Sequence, residues 1–264
     1  MDVIVLISCM HERDHSIIKR SNIQTDVVVV NQCDTDSKEE FTFTNSKGIT
    51  CKALFVNTTE RGLSRSRNLA LKESWGEICI FCDDDEVFES DYEKVVVQQF
   101  EKNPSYSIIA FKLIYDRKEF SDKERDYNRF TATSLSSAQL AFKRMDIIKT
   151  GICFDTMLGS GSGNGGGEEN KLLFQLLGKG LKAKYVPILL AEVKSDSQSL
   201  WFNGYTDQYL KNEGWGYKRI FGPFIAYPLV WYHAIKHSKT YKVRFTKFIY
   251  LLHKGFFENR CNKQ

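Results

Sequence analysis

Glu77-Ile78-Cys79-Ile80-Phe81-Cys82-Asp83-Asp84-Asp85-Glu86 is an apolar run that stops abruptly at four consecutive acids. Ile and Phe favour extended chain, and the run is too short for a comfortable helix, so it predicts a buried strand. Adjacent carboxylates repel one another, which raises the pKa of some of them. That cost is relieved if a divalent cation and a phosphate-bearing ligand sit there, since Mg²⁺ is usually held by one or two carboxylates plus substrate phosphates. A solvated acidic turn has the same composition, so the flanking chain must decide.

Working outward, residues 3–8 and 26–30 read as two more buried strands. The second ends in the polar turn Asn31-Gln32-Cys33-Asp34. Residues 35–46 are polar and read as loop, and residues 49–56 as a third strand. Gly62-Leu63-Ser64 gives a turn and an N-cap for a helix over residues 65–75, which Gly76 stops. Beyond the acids the pattern predicts helices over 92–101 and 168–177 and strands over 106–115, 138–143 and 184–190. Residues 116–130 are charged and read as loop. Alternating strands and helices imply an α/β fold with a mostly parallel sheet flanked by helices. Ligands of such sheets bind beyond the carboxyl ends of the strands, where residues 31–34 and 83–86 both fall. Position thus favours a functional reading of the acids.

The chain has 264 residues, a net charge of +4 and an ordinary globular composition. The charge is too mild to predict a nucleic-acid partner. Seven cysteines, without disulfide-like spacing, suit a reduced cytoplasmic setting. Cys79 and Cys82 form a CxxC, but on a strand they point to opposite faces. The His pairs His11/His15 and His233/His237 lack the Glu of a zinc-protease helix. Met1-Asp2 has an acid where a secretory signal needs bases, and no apolar run reaches membrane-spanning length.

Four segments belong together: Asn31-Gln32-Cys33-Asp34, Arg61-Gly62-Leu63-Ser64-Arg65-Ser66-Arg67-Asn68, Asp83-Asp84-Asp85-Glu86 and Gly165-Gly166-Gly167-Glu168-Glu169-Asn170. In this order and spacing they resemble the family 2 glycosyltransferases of the GT-A (Rossmann-like) fold, over roughly residues 2–195. That family has a polar nucleotide-binding turn, a G-x-S-x-A-R-N-like helix start, a strand ending in D-x-D, and a G-E-D-like segment opening a helix. The chain departs from it at Asn31 and Gln32, where an acid pair is common, at Ser66 in place of Ala, and at Glu169 in place of Asp.

The resemblance implies an inverting transfer of a sugar from a nucleotide-diphosphate sugar, preferably a UDP-sugar, to an acceptor hydroxyl. A saccharide or lipid-linked saccharide in surface polysaccharide or glycolipid assembly would be that acceptor. It implies Mn²⁺ or Mg²⁺ on Asp85 and Asp83, with Asp83 nearer the ribose. Asp84 and Glu86 either support those two or are solvated. Asn31, Gln32, Asp34, Arg67, Asn68, Asp83 and Asp84 would bind the nucleotide sugar, with Arg67 reaching base or phosphates through its planar fork. Glu169, beside Glu168, would be the general base, and the helix start favours its ionised form.

Residues 161–166 match a bare G-x-G-x-x-G, but no strand abuts them, so a dinucleotide fingerprint is not expected. A loop that closes over donor or acceptor fits better. Residues 196–264 read as a helical, basic and aromatic C-terminal extension following a catalytic domain over 1–195. Its Lys/Arg and aromatic residues suit an anionic interface at the inner face of the cell membrane, or a homodimer contact. The competing readings are a sugar-1-phosphate nucleotidyltransferase, which wants a glycine-rich loop after the first strand, and an inactive membrane-attached scaffold.

Overall fold

The computed structural model describes residues 1–116, 118–194 and 204–260. Its first strands, Val3–Met10 (β1) and Asp26–Gln32 (β2), are β-branched or apolar almost throughout and buried on both faces. Such strands belong inside a doubly covered parallel sheet. The remaining strands are Ser37–Thr44 (β3), Thr50–Thr58 (β4), Ile78–Asp83 (β5), Glu86–Phe88 (β6), Ile108–Ile114 (β7), Arg125–Tyr127 (β8), Leu140–Lys143 (β9) and Ala183–Val193 (β10). They form one sheet in the order β3-β4-β2-β1-β5-β9-β7-β10-β6, with β8 also on β10. Strands β4, β2, β1, β5, β7 and β10 run one way, and β9 runs against its neighbours β5 and β7.

Helices Ser16–Arg20 (α1), Leu63–Glu73 (α2), Tyr92–Lys102 (α3), Arg144–Lys149 (α4) and Glu168–Gly178 (α5) accompany the sheet. One face buries Val5, Ile7, Val27, Ile80 and Cys82 with Tyr92 and Phe100 of α3. The other buries Leu6, Val28, Cys79 and Phe81 with Ala70 of α2 and Leu173 of α5. Cys79 and Cys82 thus lie on opposite faces, as the strand period requires.

The register carries the functional consequence. Ser8 of β1 lies opposite Asp83 of β5, and Met10 lies opposite Gln32 of β2. Three adjacent strands therefore end together at one edge.

Residues 35–46 are not loop. They contain the exposed edge strand β3, paired antiparallel with β4 from Ser37↔Asn57 to Thr44↔Thr50. Phe41 and Phe43 alternate with Thr42 and Thr44, the period of a half-buried strand, and Phe41 stacks on His15 at 4.2 Å. The charged stretch 116–130 likewise holds β8. Helix α2 begins at Leu63 and is capped by Ser74. Ser64 is inside it and its hydroxyl donates to the carbonyl of Leu158 at 2.7 Å.

Three C-terminal helices, Asp207–Phe221 (α6), Pro223–His237 (α7) and Phe245–Phe257 (α8), close on their own core of Leu210, Val230, Phe248 and Leu252. The expected division at 195/196 lies outside the described residues. Helices α6 and α8 touch backbone to backbone. A Cβ on Gly214 would lie 1.9 Å from the Leu252 carbonyl oxygen, and one on Gly255 would lie 1.9 Å from that of Lys211. The unit docks through Trp215 against Met157 and Leu158, and through Phe221, whose ring lies 5.0 Å from that of Phe174. Asp155 ties the two parts with hydrogen bonds from Arg219 at 2.6 and 3.0 Å and from Lys171. Burial alone would raise the Asp155 carboxyl, but the bonds from Arg219 and Lys171 hold it far below the usual carboxylate range.

Candidate active site

Arg67 organises the acids. It projects from α2, is 1% exposed, and its guanidinium meets two carboxylates from distant segments. One nitrogen donates to both oxygens of Asp83 at 2.9 and 3.0 Å, and the other to Glu168 Oε1 at 3.0 Å. Burial works against its charge, but Asp83, Glu168 and Glu169 outweigh burial and hold the guanidinium protonated. Arg67 was expected to reach base or phosphates. Its fork is committed to two side chains, and it does not line the cleft described below.

The four acids of the opening stretch divide by environment. Asp83 is partly exposed and held by Arg67. Asp84 and Asp85 are exposed and neither has an ion-pair partner among the described residues. Lost hydration in the cleft, then repulsion from Asp83 and Asp84, pushes the Asp85 carboxyl up to about 6. Asp84 is raised for the same reasons, burial first and Asp83 second. Glu86 differs from all three. It is 2% exposed, starts β6, and accepts the Asp83 backbone N–H at 3.1 Å. Burial and then Asp83 push its carboxyl well above the ordinary range, and its depth makes it a structural group and not a solvated acid.

A cleft of about 360 Å³ opens at the strand ends, lined by Ser8, Gln32, Gly62 and the three aspartates, with Ser160 and Gly161 as another wall. Gln32 sets its rim, because its side-chain oxygen accepts the Gly62 N–H at 2.7 Å. The end of β1, Ser8 to Met10, also lines it. Sequence reasoning missed these residues, although they end a strand at the same edge as Asp83, and that position was the available signal.

Three other expected nucleotide contacts are occupied elsewhere. Asn31 is 1% exposed and its amide bridges the backbone of Glu12 and the side chain of Asn57. Asn68 exchanges two hydrogen bonds of 2.9 Å with the backbone of Phe154. Asp34 is exposed and pairs with Arg61 at 2.7 Å. None of the three lines the cleft, and the hydrogen bonds of Asn31 and Asn68 fix the strand end and helix α2.

Glu168 and Glu169 open α5 after a chain of turns. Gly159 lets that chain pass over Glu168. Its φ is +97°, and a Cβ there would approach the Glu168 carboxyl carbon to 3.2 Å and Ser64 Oγ to 3.0 Å. The helix start was expected to favour ionised Glu169. Burial, then repulsion from Glu168, outweighs it and pushes the Glu169 carboxyl up to about 8 against the opposing pull of Arg67.

Among the described residues, no three His, Cys, Asp or Glu side chains form a complete metal cage. The residues nevertheless suit Mn²⁺ or Mg²⁺. Asp85 is an exposed carboxylate whose charge is penalised and unpaired, Asp83 keeps free lone pairs, and these cations complete their shells with phosphate and water oxygens.

A mostly parallel sheet, covered by helices and with carboxylates massed at its carboxyl edge, defines a GT-A fold. The chain matches the model of glycosyl transferase family 2 over residues 10–159, more than half its length, and it belongs to that family. In shape it is similar to S. aureus TarS 1-349, with a TM-score of 0.61 and 13% identity, covering 96% of this chain and 90% of that one. The same fragment in complex with UDP-GlcNAc gives 0.60 and 11%, covering 96% and 91%. The mannosyltransferase PcManGT from Pyrobaculum calidifontis, in complex with GDP-Man and Mn²⁺, gives 0.50 and 16%, covering 96% and 69%. At these identities the likeness is one of fold. A search of curated protein sequences finds no match.

Proposed function

We propose that the protein transfers a sugar from a nucleotide-diphosphate sugar to a hydroxyl of a saccharide or lipid-linked saccharide, with inversion. One observation carries the reading. A single guanidinium holds an acid of the donor edge, Asp83, and an acid of the α5 start, Glu168, so the two carboxylate sets lie one side chain apart. A single displacement needs just such a pair: one group to support the leaving diphosphate, another to take the acceptor's proton.

Asp85 and Asp83 are the residues that would hold Mn²⁺ or Mg²⁺, which when bound would neutralise charge on the diphosphate as it leaves. Glu169 takes the acceptor proton. A base works best with a pKa near the operating pH, and a carboxyl pushed up to about 8 meets that condition. Gln32 and the end of β1 line the space for the nucleotide. A UDP-sugar is the preferred donor, in keeping with TarS structures that contain UDP and UDP-GlcNAc.

The C-terminal helices are assigned to an anionic membrane surface at the cytoplasmic face. Phe224 is 93% and Ile235 69% exposed, with Trp231, Tyr232 and Tyr250 also outward. Lys236, Lys239, Lys242, Arg244 and Lys254 are exposed among them. Aromatic rings with bases between them match the headgroup layer of an anionic leaflet. No described helix is long and apolar enough to cross a membrane.

The test is calorimetric titration of UDP, GDP and TDP with and without Mn²⁺. Wild-type protein should bind one of them in a metal-dependent way, and Asp85→Ala should lose that dependence. Undiminished metal-dependent binding by Asp85→Ala would remove the metal assignment.

A further inference from the structure

A second pocket of about 360 Å³ shares no residue with the cleft at the strand ends. One wall is formed by Gly165 to Gly167 and Asn170, the residues immediately before and after Glu168 and Glu169. The other is a face of α6 that presents Tyr209, Glu213, Gly216 and Tyr217. These stand at i, i+4, i+7 and i+8, the spacing of a helix face turned toward its own protein. Tyr209 and Tyr217 pack their rings on the helical core, with the Tyr217 hydroxyl on His233 Nδ1 at 2.9 Å, but Glu213 sets a carboxyl between them.

Its polar groups are incompletely satisfied. The side-chain oxygen of Asn170 is buried and has no hydrogen-bond partner. Glu213 has no ion-pair partner among the described residues. Burial pushes its carboxyl up to about 7, and the Tyr209 hydroxyl only partly offsets this. A buried oxygen without a donor costs free energy that a ligand hydroxyl would return. Phe221 and Tyr217 add ring surface to the same pocket. Gly216 leaves it open, since a Cβ there would meet nothing within 4 Å.

We propose that this pocket binds the acceptor saccharide, with Glu213 and Asn170 taking its hydroxyls and the aromatic side chains covering its C–H face. The proposal rests on the transferase reading and makes α6 the element that selects the acceptor. It places the acceptor against the turn that carries Glu169. Donor and acceptor would then occupy two pockets that share no lining residue.

The test is saturation-transfer NMR with the methyl glycosides of glucose, galactose, mannose and N-acetylglucosamine, run without nucleotide. Wild-type protein should transfer saturation to at least one of them. Gly216→Leu, which fills the opening from a position with room for it, should weaken that binding roughly tenfold or more. Glu213→Gln, which keeps the shape and alters the hydrogen bonding, should weaken it to a similar degree. UDP titration and far-UV circular dichroism check that both variants are folded. Undiminished saturation in both variants, or no saturation of any glycoside by the wild-type protein, would overturn the proposal. A wild-type protein that binds no nucleotide would instead overturn the donor reading, and the glycoside experiment would still decide the pocket.

Discussion

Replacing Arg67 by Met should cost more stability than any other single change at the candidate site. The magnitude follows from what each partner is left with. The Glu168 side chain is 7% exposed and loses its ion pair, whereas the Asp83 side chain is 32% exposed and regains water. Breaking a buried pair by removing one member costs ~3–5 kcal/mol, because the survivor is an uncompensated buried charge. The Asp83 share is discounted, since solvent screens a partly exposed pair. The expected loss is therefore about 3–5 kcal/mol, nearly all from Glu168. In a chain of this size ~1 kcal/mol moves Tm by about 2–4 °C, so Tm should fall by roughly 6–20 °C. Arg67→Met/Glu168→Gln should recover about 0.5–3 kcal/mol of that loss, the usual coupling of residues in contact. Arg67→Lys should lie between wild type and Arg67→Met, because an ammonium keeps the charge but cannot fork to two carboxylates. Thermal unfolding followed by far-UV circular dichroism at neutral pH, without metal, measures the series. A double variant no more stable than Arg67→Met would show that Glu168 is not the orphaned charge and would refute the reasoning.

Four further outcomes are expected. Glu169→Gln should bind donor normally and lose roughly 10²–10⁴-fold in transfer rate, whereas wild-type turnover would remove Glu169 as base. In the wild-type enzyme the rate should climb with pH, reach half its maximum near 8 and level off only above that, because Glu169 must be ionised to take the proton and Glu168, Arg67 and Lys118 are the charged groups facing it. A profile flat from mildly acidic to mildly alkaline pH would contradict this. The stability effect has the opposite sense. The folded-state pKa is raised above 4.5, so this contribution is full below the ordinary Glu range and is lost as pH rises through about 8. Gly214→Ala should force α6 from α8 at a cost of ~1–3 kcal/mol or more, whereas Gly216→Ala should gain roughly 0.5–1 kcal/mol. Equal effects in denaturant unfolding would mean that the helices do not touch as described. Phe224→Ser/Trp231→Ser should reduce sedimentation with phosphatidylglycerol vesicles, and unchanged pelleting, or a stable dimer by light scattering, would assign that face to something other than lipid.

The parts of this fold that were legible in the sequence are those that local chemistry dictates. A run of Val and Ile long enough for a strand and too short for a helix located β1, β2 and β5, and their polar ends located the functional edge. Edge strand β3 was missed because its charged start, Ser37 to Glu40, masks the Phe–Thr alternation that follows. The C-terminal helices were visible as aromatic and basic chain. The contact between α6 and α8 was not, because it depends on two glycines, Gly214 and Gly255, that meet only after folding.

The site shows the same boundary more sharply. Nothing local distinguishes Asp83, Asp84, Asp85 and Glu86, since each is an acid in an acidic run. What separates them is the far end of a hydrogen bond or the depth of a side chain. Asp83 is defined by a guanidinium 16 positions earlier, and that guanidinium is defined by Glu168, 101 positions later. Glu86 is removed from the solvated set because its strand pairs with β10, which buries it. Arg67 and Asn68 follow the same logic. Their motif resembles a ligand-binding helix start, yet Arg67 holds the two acid-bearing segments at a fixed separation and Asn68 ties helix α2 to the backbone of Phe154. The influence of Arg67 on chemistry would then pass through the geometry of Asp83 and Glu168. Substitution of Asn68 should accordingly alter stability before it alters nucleotide affinity, the reverse of what a direct ligand contact would do.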